Sequence, residues 1–292
     1  MVIVITGIIA AVVAVFIKKP VDAYFDSARR AELSDMADTA VRRIARDVHL
    51  ALPNSVRNPS DGSSQCVEFI PTKIGARYRS AKSSAGSGDD LDFTAVDGSF
   101  DMLWTNSTLP SSLRIAAGDV IAVYNDGSGL SNCLGSVAAG TAGGNAYCGY
   151  NAIQVSSLGV ESGGATPINF VGTGSAVPFN QKQLPNASPY YRFQVIPNSE
   201  QVVSYACSSG TLYRYSRTLS AGWGLPANCA AMTSGATAAT LAENVSSCNI
   251  KYEAPGSSTG LSNNGILQVS LTLTQSGESV NLYQQVHVDN TP

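Results

Sequence analysis

Hydrophobic residues form one unbroken run at the start of the chain and become regularly spaced after it. Residues 1–17 carry no charge, and Thr6 and Gly7 are the interruptions among the aliphatic side chains. As a helix rising about 1.5 Å per residue, the run is about 25 Å long, slightly shorter than the ~30 Å hydrocarbon core of a bilayer. We therefore predict a transmembrane helix at 1–17 that is incomplete at its N-terminal end. Its membrane and assembly residues are expected to be Val2, Val4, Ile5, Ile8, Ile9, Val12, Val13, Phe16 and Ile17.

Two other interpretations of this run agree less well with its flanks. A cleaved secretory signal has basic residues before its apolar part and small residues at a cleavage site after it. In this chain Lys18 and Lys19 follow the run, and Pro20 comes next. A buried core helix is the second alternative, but a helix that is apolar on all sides is unusual in so polar a chain.

From residue 21 onward the apolar residues recur at steps of three to five positions, which predicts one apolar stripe along a helix. Pro20 is expected to kink this helix or to start its second part, and Pro53 is expected to end it. We expect the stripe to pack on a sheet of the same chain. It consists of Phe25, Ala28, Leu33, Met36, Ala40, Ile44, Val48 and Leu52.

Beyond residue 54 the apolar residues come in short β-type segments between turn-forming clusters. In segment 266–274 Leu267, Val269 and Leu271 alternate with polar residues, and in segment 279–288 Val280 and Leu282 do so approximately, as in an antiparallel sheet with one buried face. We therefore predict an α+β fold, with the helix at 1–53 lying across an antiparallel sheet of a β-rich globular domain at 54–292. The predicted strands are 67–71, 91–95, 120–124, 152–156, 190–196, 201–206, 212–217, 249–253, 266–274 and 279–288.

Composition supports a body of sheets, turns and long polar loops. Charged residues make up 13% of the chain, and there are 27 glycines. Segments 80–88, 135–145, 159–166 and 230–240 lack the apolar residues of a core, so we predict surface loops there. The net charge of −3 argues against a nucleic-acid partner, because binding to phosphates needs a concentrated basic face.

The chain has six cysteines, and no two of them are spaced as C-x-x-C. Together with an export-type N-terminus, an even number of cysteines predicts disulfides formed in an oxidising compartment. Cys133 and Cys148 bracket one Gly-rich loop, and Cys207 and Cys229 bracket another. If these are two pairs, Cys66 and Cys248 form the third.

The sequence contains no recognisable catalytic constellation, so we expect a non-enzymatic protein without a resident cofactor. His49 and His287 lie apart from any zinc-ligand pattern. The segment 256–260 matches G-x-S-x-G, but it lacks the strand and helix that a nucleophile elbow requires. Segments 89–92 and 125–127 are rich in oxygen ligands and leave Ca²⁺ as an alternative, although neither has EF-hand spacing.

Four aromatic residues admit two interpretations. Tyr190, Tyr191, Trp104 and Trp223 suit a surface that binds a ligand, whereas aromatic residues within strands more often belong to a core.

Several stretches resemble type IV pilin-like proteins, in particular the minor pilins of the mannose-sensitive haemagglutinin pilus system. The resemblance rests on the N-terminal segment at 2–57 (VIVITGIIAAVVAVFIKKP…) and on later stretches of the body. It implies a pilin-like roll. The later stretches are CVEFIPT at 66–72, GARYR at 75–79, VSYAC at 203–207, LYRY at 212–215 and ENVSSC at 243–248.

The chain departs from the pilin pattern at its beginning. Such proteins start with a basic leader, a glycine before the cleavage site and a Phe-Thr-Leu-Ile-Glu-like segment, none of which precedes residue 2. We expect the true start to lie upstream of Met1, and the glutamate that registers a pilin in its filament has no counterpart among these residues.

The resemblance implies a minor pilin or pseudopilin that primes or caps a type IV pilus or a type II secretion pseudopilus. Its partners would be other minor pilins and the major pilin, bound through the N-terminal helix. It would span the inner membrane of a Gram-negative bacterium once, with its body in the periplasm, and later reach the pilus at the cell surface. An adhesin that binds a host or surface ligand at the pilus tip is the alternative, and a membrane-anchored periplasmic enzyme is a remote one.

Overall fold

The structure is a computed structural model that describes residues 2–82, 86–127, 133, 143–173, 179–180, 182–219, 224–255 and 264–292, without the side chains of residues 11, 14, 15 and 17. The helices are α1 (Val2–His49) and α2 (Cys229–Thr233). The first strands are β1 (Cys66–Phe69), β2 (Ile74–Arg77), β3 (Ser99–Met102), β4 (Val120–Ala122), β5 (Ala152–Leu158), β6 (Thr166–Phe170) and β7 (Arg192–Ile196). The later strands are β8 (Val202–Ser208), β9 (Thr211–Arg217), β10 (Thr237–Ala242), β11 (Val245–Glu253), β12 (Asn264–Gln275) and β13 (Glu278–Asp289).

Helix α1 is continuous and passes through Pro20 without ending. Pro20 has no N–H, so the carbonyl of Phe16 loses its intrahelical donor at that point. The helix ends at His49, not at Pro53 as predicted. The N–H of Leu52 donates instead to the carbonyl of Ile70, at 2.7 Å, so the chain has already left the helix to pair with the segment after β1.

The strands form three antiparallel sheets. Their orders are β1-β8-β9-β10, β11-β12-β13 and β2-β7-β4-β5-β6-β3. The predicted alternation in β12 is confirmed, because Leu267, Val269, Leu271 and Leu273 are all buried on one face. That face packs against the C-terminal part of α1, with β13 beside it.

The six-stranded sheet, inserted in the chain between β1 and β8, closes on itself. Its first and last strands in sheet order, β2 and β3, meet through a bridge between Tyr78 and Met102. Hydrogen bonds of 2.9 Å extend this closure, from Arg79 N–H to the Asp101 carbonyl and from Leu103 N–H to the Arg77 carbonyl. The enclosed space is filled by apolar side chains, so this insertion has a core of its own. They include Tyr78, Phe100, Met102, Ile121, Ile153, Ile168, Phe170, Phe193 and Val195.

The predicted α+β fold, with a long helix packed along one antiparallel sheet, is wrong. The chain is mostly β, with thirteen strands in three sheets over the described residues. The six-stranded sheet covers its own core and needs no helix across it. Among the described side chains of α1, burial begins only at Leu33, so the first part of the helix packs on no sheet.

Several strand predictions also fail. The predicted strand at 91–95 is a turn, because the carboxylate of Asp92 accepts from the N–H and the hydroxyl of Thr94. Strands β2, β3, β6 and β10 were not predicted. The segment predicted as a loop at 230–240 includes most of α2 and the start of β10, whose Ala and Thr side chains are mostly exposed. Pairing with β9 holds β10 in place, and nothing local in the sequence signals that pairing.

The disulfides join Cys133 to Cys148, Cys66 to Cys229 and Cys207 to Cys248. The first pair agrees with the expectation, and the predicted pairs Cys207–Cys229 and Cys66–Cys248 are wrong. Cys66 lies opposite Ala206 in the β1–β8 ladder, so Cys66 and Cys207 point to opposite faces of this sheet. On one face Cys66 is bonded to Cys229 of α2, and on the other face Cys207 is bonded to Cys248 of β11.

Candidate assembly surface

The first part of α1 carries a long apolar surface that no other described part of the chain covers. Ile3 is 86% exposed, Phe16 75% and Val12 49%. Val2, Val4, Ile5, Ile8, Ile9 and Val13 are exposed as well, whereas the side chain of Ile17 lies outside the described residues. Contiguous exposed apolar surface of this kind marks a site of interaction.

The polar residues within this surface do not interrupt it. The hydroxyl of Thr6 donates back to the carbonyls of Val2 and Ile3, at 3.0 and 3.1 Å, and is satisfied inside the helix. Apart from its chain neighbours and its own helix backbone, Gly7 has no heavy atom within 4 Å of the place where a Cβ would stand, so a neighbouring helix has room to approach. Residues 2–32 extend the helix by about 46 Å at 1.5 Å per residue.

The second part of α1 is anchored in the main core. Leu33, Ala40, Ile44 and Val48 of the predicted stripe are buried, and Met36 is half-buried. Phe25 and Ala28, which continue the same spacing, are exposed, so the stripe predicted the contact face but not where contact begins. Side chains of β1, β8, β12 and β13 complete this core.

Polar contacts fix both ends of the anchored part. At its start Arg30 forms an ion pair with Glu278 at the beginning of β13. Near its end the carboxylate of Asp47 accepts from the Tyr205 hydroxyl and the Arg214 Nε, both at 2.8 Å. Arg214 also holds Glu200 through two nitrogens. The helix is therefore locked to strands β8 and β9.

Burial alone would raise the pKa of Asp47. The hydrogen bonds from Arg214 and Tyr205, together with the charges of Arg214 and Arg43, outweigh it and hold the pKa of this carboxyl below its usual range. Asp47 is therefore charged at neutral pH and favours the folded state. The sequence carries no signal for this role, because Asp47 resembles the other charged residues on the outer helix faces.

A second charged cluster joins the closed sheet to the rest of the body. Glu68 of β1 is fully buried and pairs with Arg57 and Arg217, at 2.6 and 3.0 Å. The guanidinium of Arg57 lies 3.5 Å from the ring centre of Tyr147, whose hydroxyl donates to the carbonyl of Ser55. Burial, followed by the charge of Glu68, raises the pKa of Tyr147. This cluster is a structural joint, and the sequence did not predict it.

The other candidate residues do not come together. His49 and His287 are both exposed on separate elements. Among the described residues no group of three or more metal-ligating side chains is found. In the acidic segment 89–92, Asp89 accepts from the Ser99 hydroxyl and Asp92 from Thr94. Segment 256–260 and Trp223 lie outside the described residues.

Over the part of the chain that the structure describes, no helix combines the length and hydropathy needed to cross a membrane. The three disulfides are compatible with a periplasmic or extracellular location.

No family model, no curated protein and no solved structure matches this chain. The pilin resemblance therefore stays a prediction that rests on the quoted residues.

Proposed function

We propose that this chain is a non-enzymatic minor pilin or pseudopilin, which enters a filament through the exposed part of α1. The observation that carries the proposal is the apolar surface formed by the described side chains between Val2 and Phe16, which the other described residues do not cover. In a filament, the helices of other subunits would pack against this surface and bury its apolar side chains.

The anchored part of α1 supports this role mechanically. A helix that is free at one end and buried at the other transmits a pull on its free end to the body. The ion pair of Arg30 with Glu278 and the bonds of Asp47 oppose separation at both ends of the buried part. The partners in the proposal are other minor pilins and the major pilin.

We further propose that the subunit primes or caps the filament. The body carries a closed six-stranded sheet beyond the two sheets that hold the helix, and such bulk packs poorly in a repeating helical array. The location in the proposal is the periplasm and then the pilus. Residence in the inner membrane before assembly is not supported by the hydropathy of the described helices and stays a prediction.

The test is incorporation of the full chain into filaments when one exposed apolar residue is changed. Ile9→Asn places an amide on the apolar surface, and Lys19→Asn is the matched control at an exposed position just past it. Filaments are sheared from cells that express each variant, and the bound subunit is quantified. We expect at least a tenfold loss for Ile9→Asn and wild-type recovery for Lys19→Asn, because an amide without a partner is costly at a dry contact.

Thermal unfolding of the purified variants completes the test. Both should unfold at the wild-type temperature, because neither position packs on the body. Normal incorporation of Ile9→Asn would refute the proposal. A lower unfolding temperature for Ile9→Asn would mean that the apolar surface serves the fold of this chain.

A further inference from the structure

Two consecutive tyrosines just before β7 adopt a backbone conformation that few residues except glycine take. The φ angle is +61° at Tyr190 and +59° at Tyr191. This left-handed conformation is strained for bulky side chains, and such strain concentrates at functional sites. Tyr190 is 71% exposed and Tyr191 51%, so burial of the two rings does not explain the strain.

A second unfavourable feature lies next to these tyrosines. Arg77 at the end of β2 stands directly opposite Arg192 at the start of β7. Directly opposed residues in an antiparallel pair point to the same face, where like charges repel. Both arginines are exposed, and neither forms a salt bridge with a carboxylate among the described residues. The pair adds nothing to the stability of the sheet.

Local contacts hold Tyr190, Tyr191 and Arg192 in one arrangement. The Arg192 guanidinium lies 5.7 Å from the ring centre of Tyr190. The Tyr191 ring contacts the buried ring of Tyr78 edge-on, with 5.9 Å between the ring centres. The backbone carbonyl of Tyr191 accepts from the Tyr78 N–H at 2.9 Å. We call Arg77, Tyr190, Tyr191 and Arg192 the tyrosine–arginine patch. Because the two tyrosines and Arg192 already make these contacts, a ligand would lose little affinity to ordering them.

We propose that the tyrosine–arginine patch binds an acidic oligosaccharide, whose sugar rings carry carboxylates. A guanidinium pairs with a carboxylate through two parallel hydrogen bonds, and a bound carboxylate would also relieve the repulsion between Arg77 and Arg192. The exposed tyrosine rings offer flat amphipathic faces to the apolar side of a sugar ring. This binding is separate from the assembly role proposed above.

The net charge of the chain favours an acidic oligosaccharide over a nucleic acid as the ligand. The net charge is −3, so the charge of the whole chain does not attract an anionic ligand, and in this proposal the attraction comes from the local pair of Arg77 and Arg192. Single-stranded nucleic acid also stacks on aromatic rings, but it needs a positively charged groove along its closely spaced phosphates. Carboxylates spaced one to a sugar fit a patch with two cations better.

The experiment titrates the full chain with a hexamer of galacturonic acid in a calorimeter. A hexamer of galactose has the same rings without carboxylates, and a thymidine hexanucleotide carries phosphates. We expect binding of the acidic hexamer alone, weakened about tenfold by Arg192→Gln, because loss of the guanidinium removes a charge-assisted pair. Arg46→Gln, at an exposed position on α1, is the matched control and should bind as the wild type does.

Tyr190→Asn separates a binding role from a structural one. Asparagine tolerates the left-handed backbone but has no ring. We expect its unfolding temperature to equal or exceed that of the wild type, with at least a tenfold loss of affinity for the acidic hexamer. Equal binding of the galactose hexamer or the hexanucleotide would overturn the proposal. Absence of binding, or wild-type affinity in Tyr190→Asn and Arg192→Gln, would overturn it as well.

Discussion

Ile9 and Ile44 lie on the same helix, yet their surroundings have nothing in common. Ile9 is 57% exposed, while Ile44 is completely buried between the helix and the sheets. Both parts belong to one continuous α-helix, so secondary structure alone does not distinguish them. What differs is the partner. The buried part finds its partner within the chain, whereas the exposed part presents the same kind of side chain to solvent and, in our proposal, to the helices of other subunits.

The largest effect is expected from truncating the buried isoleucine. Ile44→Ala should lower the free energy of unfolding by about 2–5 kcal/mol, because it removes a buried side chain and leaves a cavity in the main core. Ile9→Ala is the matched control and should change it by less than about 0.5 kcal/mol, as other exposed sites do. Urea unfolding of both variants measures the difference.

Equal losses in the two variants would break the comparison, since they would show that the first part of α1 also packs on the body. No loss in Ile44→Ala would mean that the helix is not held by this core.

The next largest loss of stability is expected from removing the disulfide that joins the four-stranded sheet to the three-stranded sheet, next to the buried part of α1. Cys207 belongs to β8 and Cys248 to β11, and their sulfurs are bonded. Replacing both with serine should cost about 2–4 kcal/mol, because the link restricts the unfolded chain. The urea midpoint measures it. The other disulfide-bonded cysteines stay paired, so peptide mapping of the double variant should still find Cys66 joined to Cys229.

The mapping also discriminates between the pairings. Recovery of a Cys207–Cys229 or Cys66–Cys248 peptide from the wild-type chain would contradict the structure.

The disulfide pairing could not be predicted from the sequence. Proximity along the chain suggested Cys207 and Cys229, but the register of β1 with β8 decides which face each cysteine occupies.

A similar limit applies to the rest of the fold. The pattern predicted the helix α1 and the strands β12 and β13, because long periodic stretches are determined by their own residues. It missed β2 and β6, which contain Gly75 and Pro167 and become strands only through their neighbours. For the candidate site, the exposed apolar run was visible in the sequence. The start of burial at Leu33 was not, because Phe25 and Ala28 keep the same spacing.

A smaller, pH-dependent effect is expected at Asp47, which locks the buried part to β8 and β9. Its pKa is lowered in the folded state, so its contribution to stability is complete above about pH 4, the ordinary range of an aspartate, and disappears as the pH falls through the folded-state pKa. Asp47→Asn should cost about 1–3 kcal/mol at pH 7, as lost hydrogen bonds to charged groups do.

Urea unfolding at pH 7, 5 and 3 tests this expectation. The difference between wild type and Asp47→Asn should shrink between pH 5 and 3. Asp35→Asn, at an exposed helix position, serves as the control and should show no such convergence. A difference that stays constant down to pH 3 would mean that Asp47 acts through shape and not through its charge.

The smallest effect is expected at the boundary between the two parts, where Arg30 pairs with Glu278. This pair is partly solvated, and exposed ion pairs contribute little to global stability. Its local effect is different, because it is placed just before burial begins at Leu33. Glu278→Gln should leave the urea midpoint unchanged and should speed amide hydrogen exchange over residues 27–33 a few-fold, since local opening needs less free energy than global unfolding. Exchange over residues 40–48 serves as the internal control. Faster exchange in both regions would show that the ion pair stabilises the whole helix. Unchanged exchange in both regions would show that the ion pair does not set the boundary between the anchored part and the exposed part of α1.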